Sequence, residues 1–142
     1  MVILINIIMA QSENILTTIT HVGDSNTQTH TGDKFKGDGY YGRSDGLHTI
    51  QINLNDFIGT IAMEGTLAST PSEDDWFTIP LGTGNTSMDT TGLIGEATVS
   101  GITHSTGNST SSTKNFTGNY VWIRAKITNW TAGSITNIKL NH

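Results

Sequence analysis

The chain contains no cysteine. Disulfides, thiolate metal sites and cysteine nucleophiles are therefore excluded. Charge is scarce as well: 13% of the 142 residues are Asp, Glu, Lys or Arg, where an ordinary soluble domain carries about a quarter. The charges that exist leave a formal net charge of −5, which repels a polyanion and argues against a nucleic-acid partner. Long hydrophobic runs are missing. The longest apolar stretch, Val2-Ile3-Leu4-Ile5-Asn6-Ile7-Ile8, is far shorter than the roughly 20 residues of a membrane-spanning helix, so no membrane association is expected. It also lacks the basic flank of a secretory signal. No twelve-residue window holds a 3.6-residue apolar period, so no amphipathic helix is expected.

Thr, Asn, Ser and 16 Gly take the place of the missing charges. Thr favours strands, and Asn and Gly favour turns. The residues Tyr120-Val121-Trp122-Ile123-Arg124-Ala125-Lys126-Ile127 alternate with period two. That places Val121, Ile123, Ala125 and Ile127 on a core face and Tyr120, Trp122, Arg124 and Lys126 on the other. Residues Ile50, Ile52 and Leu54 share a face in the same way, as do Ile61, Met63 and Leu67. Strands are predicted over 15–20, 48–54, 59–67, 76–79, 96–102, 120–127 and 134–140. Polar loops are predicted over 21–45, 82–92 and 103–113. Many short strands and turns in a chain of this length predict one all-β domain, an antiparallel β-sandwich of jelly-roll-like character, over residues 15–142. Residues 1–14 are expected to be an N-terminal apolar arm. Either Met9 is the natural start and the arm is an artefact, or Val2, Ile3, Leu4, Ile5 and Ile7 are buried against a neighbouring subunit.

Several segments in order resemble a known pattern: Ile58-Gly59-Thr60-Ile61-Ala62-Met63-Glu64-Gly65-Thr66-Leu67, Pro71-Ser72-Glu73-Asp74-Asp75-Trp76-Phe77, Tyr120-Val121-Trp122-Ile123-Arg124, and Ile127-Thr128-Asn129-Trp130-Thr131-Ala132-Gly133-Ser134-Ile135. The strand, acidic turn and Trp, followed by an aromatic–apolar–Arg strand and a Gly-led final strand, resemble discoidin-like, galactose-binding-like jelly rolls. More closely, the order is similar to small accessory structural proteins of tailed bacteriophages. The match spans residues 46–140 apart from 82–113. The resemblance implies a virion location and a homo-oligomeric structural role in capsid decoration, neck, tail or baseplate. Its partners would be other virion proteins and copies of itself. The discoidin-like element implies a second reading, a carbohydrate-binding module that meets a host-surface glycan.

Candidate chemistry is sparse. There is no Gly-x-Ser-x-Gly elbow and no phosphate loop, and abundant Ser and Thr are not nucleophiles without a positioned base. No catalytic residue and no cofactor are assigned, and the chain is not expected to be an enzyme. The carboxylates Glu73-Asp74-Asp75 read as a solvated turn before calcium ligands. Asp33, Asp38 and Asp45 in the glycine-rich segment lack calcium-loop spacing. His21, His30, His48, His104 and His142 show no i, i+2 or i, i+4 pairing, which argues against zinc. The Asn-x-Ser/Thr sequons at Asn85, Asn108, Asn115 and Asn129 follow from composition. The aromatic residues remain. Trp122 and Arg124 on the outer strand face, together with Tyr40 and Tyr41, are the interface candidates, because Tyr, Trp and Arg are enriched where proteins meet and also stack on sugars.

Overall fold

Two long strands organise the fold, and both owe their length to bulges. A computed structural model describes residues 12–88 and 94–142, with 83–88 and 94–98 described as backbone only. In chain order the strands are β1 Glu13–Leu16, β2 Ile19–Thr20, β3 Gln28–Thr31, β4 Phe35–Lys36, β5 Leu47–Thr66, β6 Phe77–Thr78, β7 Leu81–Met88, β8 Ile94–Val99, β9 Ile102–Asn108, β10 Ser111–Thr117 and β11 Trp122–Asn141. A 3₁₀ turn, Glu73–Asp75, precedes β6. All pairings among the described residues are antiparallel. The predicted all-β antiparallel architecture is the one observed.

Strand β5 and strand β11 each run 20 residues and pair from Trp122↔Thr66 to Asn141↔Thr49. The sequence predicts two strands in each of these places. The residues between them do not break the ladder; they bulge it. Register shifts between Thr128 and Ala132, between Ala132 and Ser134, and between Ile135 and Asn137. Asp56 and Asn129 both adopt φ 50°, a left-handed conformation that Asp and Asn tolerate better than other non-glycine residues. The backbone N–H of Asp56, freed by the bulge, donates to Ser109 Oγ at 2.9 Å. Each bulge flips the side-chain parity. In β5 the buried residues change from Ile50, Ile52 and Leu54 to Phe57, Ile61 and Met63. In β11 they change from Ile123, Ala125 and Ile127 to Trp130, back to Ile135, and again to Ile138 and Leu140. The flip keeps apolar residues inside while the strands bend.

The ladder β1-β11-β5-β10-β7-β8 forms one continuous sheet, with β2, β3 and β4 also on β11, and β6 and β9 on β5. It folds over a single core that joins both halves of each long strand with Ile15, Leu16, Ile79, Leu81 and Phe116.

Some placements differ from the sequence reading. Leu67 lies just past the end of β5 and is 67% exposed, so it leaves the core face on which period two puts it. Tyr120 precedes β11 and packs against the core, because the chain has not yet entered the ladder there. The segments read as loops over 82–92 and 103–113 carry most of β7 and β9 and the first residues of β10, and the 21–45 segment carries β3 and β4. In β9 and β10 most of the Thr, Ser and Asn residues are exposed or half-buried while the backbone pairs. The arm residues Val2, Ile3, Leu4, Ile5 and Ile7 lie outside the described residues.

Candidate functional site: an aromatic–cationic face over a buried histidine–aspartate cluster

The site is built on the turn that links β4 to β5. Backbone N–H groups of Gly37 and Gly39 donate to the carbonyls of Val121 at 3.0 Å and Tyr120 at 2.9 Å. That lays the turn flat against the start of β11, an approach too close for a side chain at either glycine. Within the turn, Tyr41 and Arg43 N–H both donate to the Asp38 carbonyl, at 3.2 and 3.0 Å. The winding sends Tyr40 and Tyr41 outward, 46% and 47% exposed, and Asp38 inward, 1% exposed.

The outward residues meet Trp122. The Tyr40 and Trp122 ring centroids lie 5.0 Å apart, and Tyr40 stands edge-on to Tyr41 at 5.5 Å. Cations cover the faces of these rings: Lys34 Nζ lies 4.6 Å from the Trp122 centroid, Lys36 Nζ 4.5 Å from Tyr40 and the Arg43 guanidinium 4.7 Å from Tyr41. Aromatic faces attract cations through the ring quadrupole. A shallow cavity of about 280 Å³ opens between Glu13, Lys34, Phe35, Lys36, Tyr41 and Trp122. The Trp122 indole N–H donates to the Ser69 carbonyl at 3.0 Å, which fixes the ring and leaves its face toward the cavity residues. Lys34, Lys36 and Arg43 thus gather on one face of a chain whose net charge is −5.

Arg124, on the same strand face as Trp122, is 6% exposed. The 3₁₀ turn closes over it. Its Nε donates to Glu64 at 2.7 Å, and its Nη1 and Nη2 donate to the two Glu73 oxygens at 3.0 and 2.9 Å. Trp76 stacks 4.1 Å from the guanidinium. The Glu73 carboxyl sits below its ordinary pKa because Arg124 hydrogen-bonds it, and Arg124 is raised in return. Asp75 accepts from Ser72 N–H at 2.7 Å and caps the turn. The acidic cluster is thus a strap that holds Arg124, and Arg124 is covered by its own chain.

Beneath Tyr41 the fold assembles a group that the sequence reading missed. The β5–β11 register places Asn141 opposite Thr49, and so brings His142 beside His48. Their rings stack at 5.3 Å. His142 Nδ1 lies 2.6 Å from Asp38 Oδ1, across 104 residues of chain. His48 is fully buried, stacked on Phe116 at 4.8 Å with 5° between the planes. Its Nδ1–H donates to the Gly46 carbonyl at 2.8 Å, and its Nε2 accepts the Asp38 N–H at 3.3 Å. Arg43 approaches Asp38 at 3.5 Å. Burial lowers the His48 pKa. For Asp38, burial pushes upward, but the hydrogen bond from His142 helps outweigh it and the carboxyl sits below its ordinary value. No local spacing rule could have found this trio. The only signal was the pairing register of the two long strands.

Compared with protein-family models, curated proteins and solved structures, the chain has no match in any of the three.

Proposed function

We propose that this chain is a non-enzymatic structural subunit that works through protein–protein contacts, made by the Tyr40–Tyr41–Trp122 face and directed at other virion proteins and copies of itself. The virion setting rests on the sequence resemblance to tailed-phage accessory proteins. The observation that supports contact-making is the face itself: Tyr40 and Tyr41 stand about half exposed on a turn pinned to the sheet by backbone hydrogen bonds. Rigid aromatic anchors ringed by cations match the composition of interface hot spots and lose little entropy on docking. The chain as a whole carries more acidic than basic residues, 12 Asp and Glu against 7 Lys and Arg, so a second copy can offer the cationic face an acidic counterpart.

A second reading, glycan binding in host-surface adhesion, is favoured by one observation: the cavity beside Trp122 and Tyr41 is open, with Glu13 and two lysines at its rim. Light scattering over a concentration series, run beside binding to neutral and anionic oligosaccharides, separates the two. Self-association that Tyr40→Ala/Tyr41→Ala weakens without lowering the melting temperature supports the first reading. Saturable sugar binding by a strict monomer supports the second.

A further inference from the structure

We propose that Asp38, His48 and His142 form a binding site for a divalent first-row transition metal ion, with zinc as the reference ion. One oxygen of Asp38 and one nitrogen of each histidine lie within 4.8 Å of one another. Two imidazoles and a carboxylate suit zinc and its neighbours in the first transition row. The supporting shell is already in place. The His48 Nδ1–H is committed to the Gly46 carbonyl at 2.8 Å, which fixes the tautomer and aims the Nε2 lone pair at the cluster, as metal-ligating histidines commonly require. That lone pair is held only by a long 3.3 Å contact from the Asp38 N–H. Asp38 Oδ1 and His142 Nδ1 face each other at 2.6 Å, so both donors point inward, and metal binding displaces the proton between them. Phe116 closes one side of the His48 ring. A small cavity of about 80 Å³, lined by Ser12, Glu13, Tyr41, Arg43 and His142 among others, opens beside His142, the outermost member of the trio. Arg43 is 48% exposed and only 3.5 Å from Asp38, so it can swing outward as the ion takes over its role as counter-charge.

The ion would tie three distant segments together: the Tyr40–Tyr41 turn, the start of β5 and the end of β11. It lies directly under the proposed contact face and holds the turn that presents it, but the binding site stands whether or not that face docks a partner.

The test uses the full chain stripped of metal with a chelator. Calorimetric titration with zinc chloride should show one saturable equivalent. Cobalt(II) should develop the intense visible bands of a low-coordinate nitrogen–oxygen site, and the melting temperature should rise on loading. His142 lies just past the end of β11, so His142→Gln should keep the fold while weakening zinc at least tenfold, as should Asp38→Asn. His30→Gln, on β3, should bind like the wild type. Circular dichroism before titration confirms that each variant is folded. Absence of saturable binding to the wild type overturns the proposal. So does binding that His142→Gln and Asp38→Asn leave unchanged, and the trio is then a hydrogen-bond network alone.

Discussion

Arg124 offers the sharpest test of how the strap and the sheet share the work of stability. Its side chain is 7% exposed and its partner Glu64 16% exposed, whereas Glu73 is 80% exposed. Replacing Arg124 by Met keeps the length of the side chain and its contact with Trp76 but strands the Glu64 carboxylate in a half-buried position. Breaking a buried pair on one side costs about 3–5 kcal/mol, because the remaining charge is uncompensated. Glu73→Gln removes an acceptor that is already in solvent, so its effect should be much smaller and should fade with added salt. The double variant Arg124→Met/Glu64→Gln removes both buried charges and should recover a substantial part of the loss. Urea unfolding, with the slope of the transition unchanged across the set, measures all three. If Glu73→Gln destabilises as much as Arg124→Met, the exposed strap and not the buried pair is the anchor. If the double variant is no better than Arg124→Met, the uncompensated-charge reasoning fails.

Ile123 is fully buried and Trp122 beside it is not; Ile123→Ala should cost about 2–5 kcal/mol through lost burial and a cavity, while Trp122→Ala should cost distinctly less, and equal losses in thermal melts would make Trp122 ordinary core. Gly133 has φ 75°, and a Cβ there would run into the Asp56 carbonyl, so Gly133→Ala should destabilise by at least the roughly 1–3 kcal/mol of local backbone strain; a variant as stable as wild type in urea would show that the paired bulges do not need this geometry. His48 and His104 are held below the usual histidine pKa of 6.5 by burial, and His104 Nε2 is buried without a partner. The unfolded chain therefore binds more protons in this range, so stability is complete above pH 6.5 and is lost as pH falls through the lower folded values. Melting temperatures should decline from about pH 6.5 downward, and a flat profile between pH 7 and 5 would contradict this.

The fold class was legible because period-two alternation in residues such as Ile50, Ile52, Leu54 and Ile123, Ala125, Ile127 survives any choice of partner strands. The continuity of β5 and β11 was not legible. A bulge at Asp56 or Asn129 looks in sequence like the polar gap between two strands, and only the parity change from Leu54 to Phe57 hints that the ladder runs on. The segments 82–92 and 103–113 were hidden for a different reason: Thr, Ser, Gly and Asn read as loop by composition, yet their strands are specified by backbone pairing and by neighbours such as Asn53 and Ser111, whose side chains bond at 2.6 Å. Of the candidate site, Tyr40, Tyr41 and Trp122 were found from residue type, and the fold brings them together. The burial of Arg124 depends on Glu73, 51 residues away, and the Asp38–His48–His142 trio depends on register across almost the whole chain. Neither leaves a local trace.

If the proposed contacts are made, the Tyr40–Tyr41–Trp122 face is covered by another protein when the chain is in its working assembly. A photo-cross-linking amino acid at position 41, compared with one at the exposed position 105, tests it most directly. Position 41 should capture another copy of the chain or a partner subunit of the assembly, at contact sites rich in Asp and Glu, while position 105 should capture little. Position 41 cross-linking no more than position 105, with the assembly intact, would contradict it.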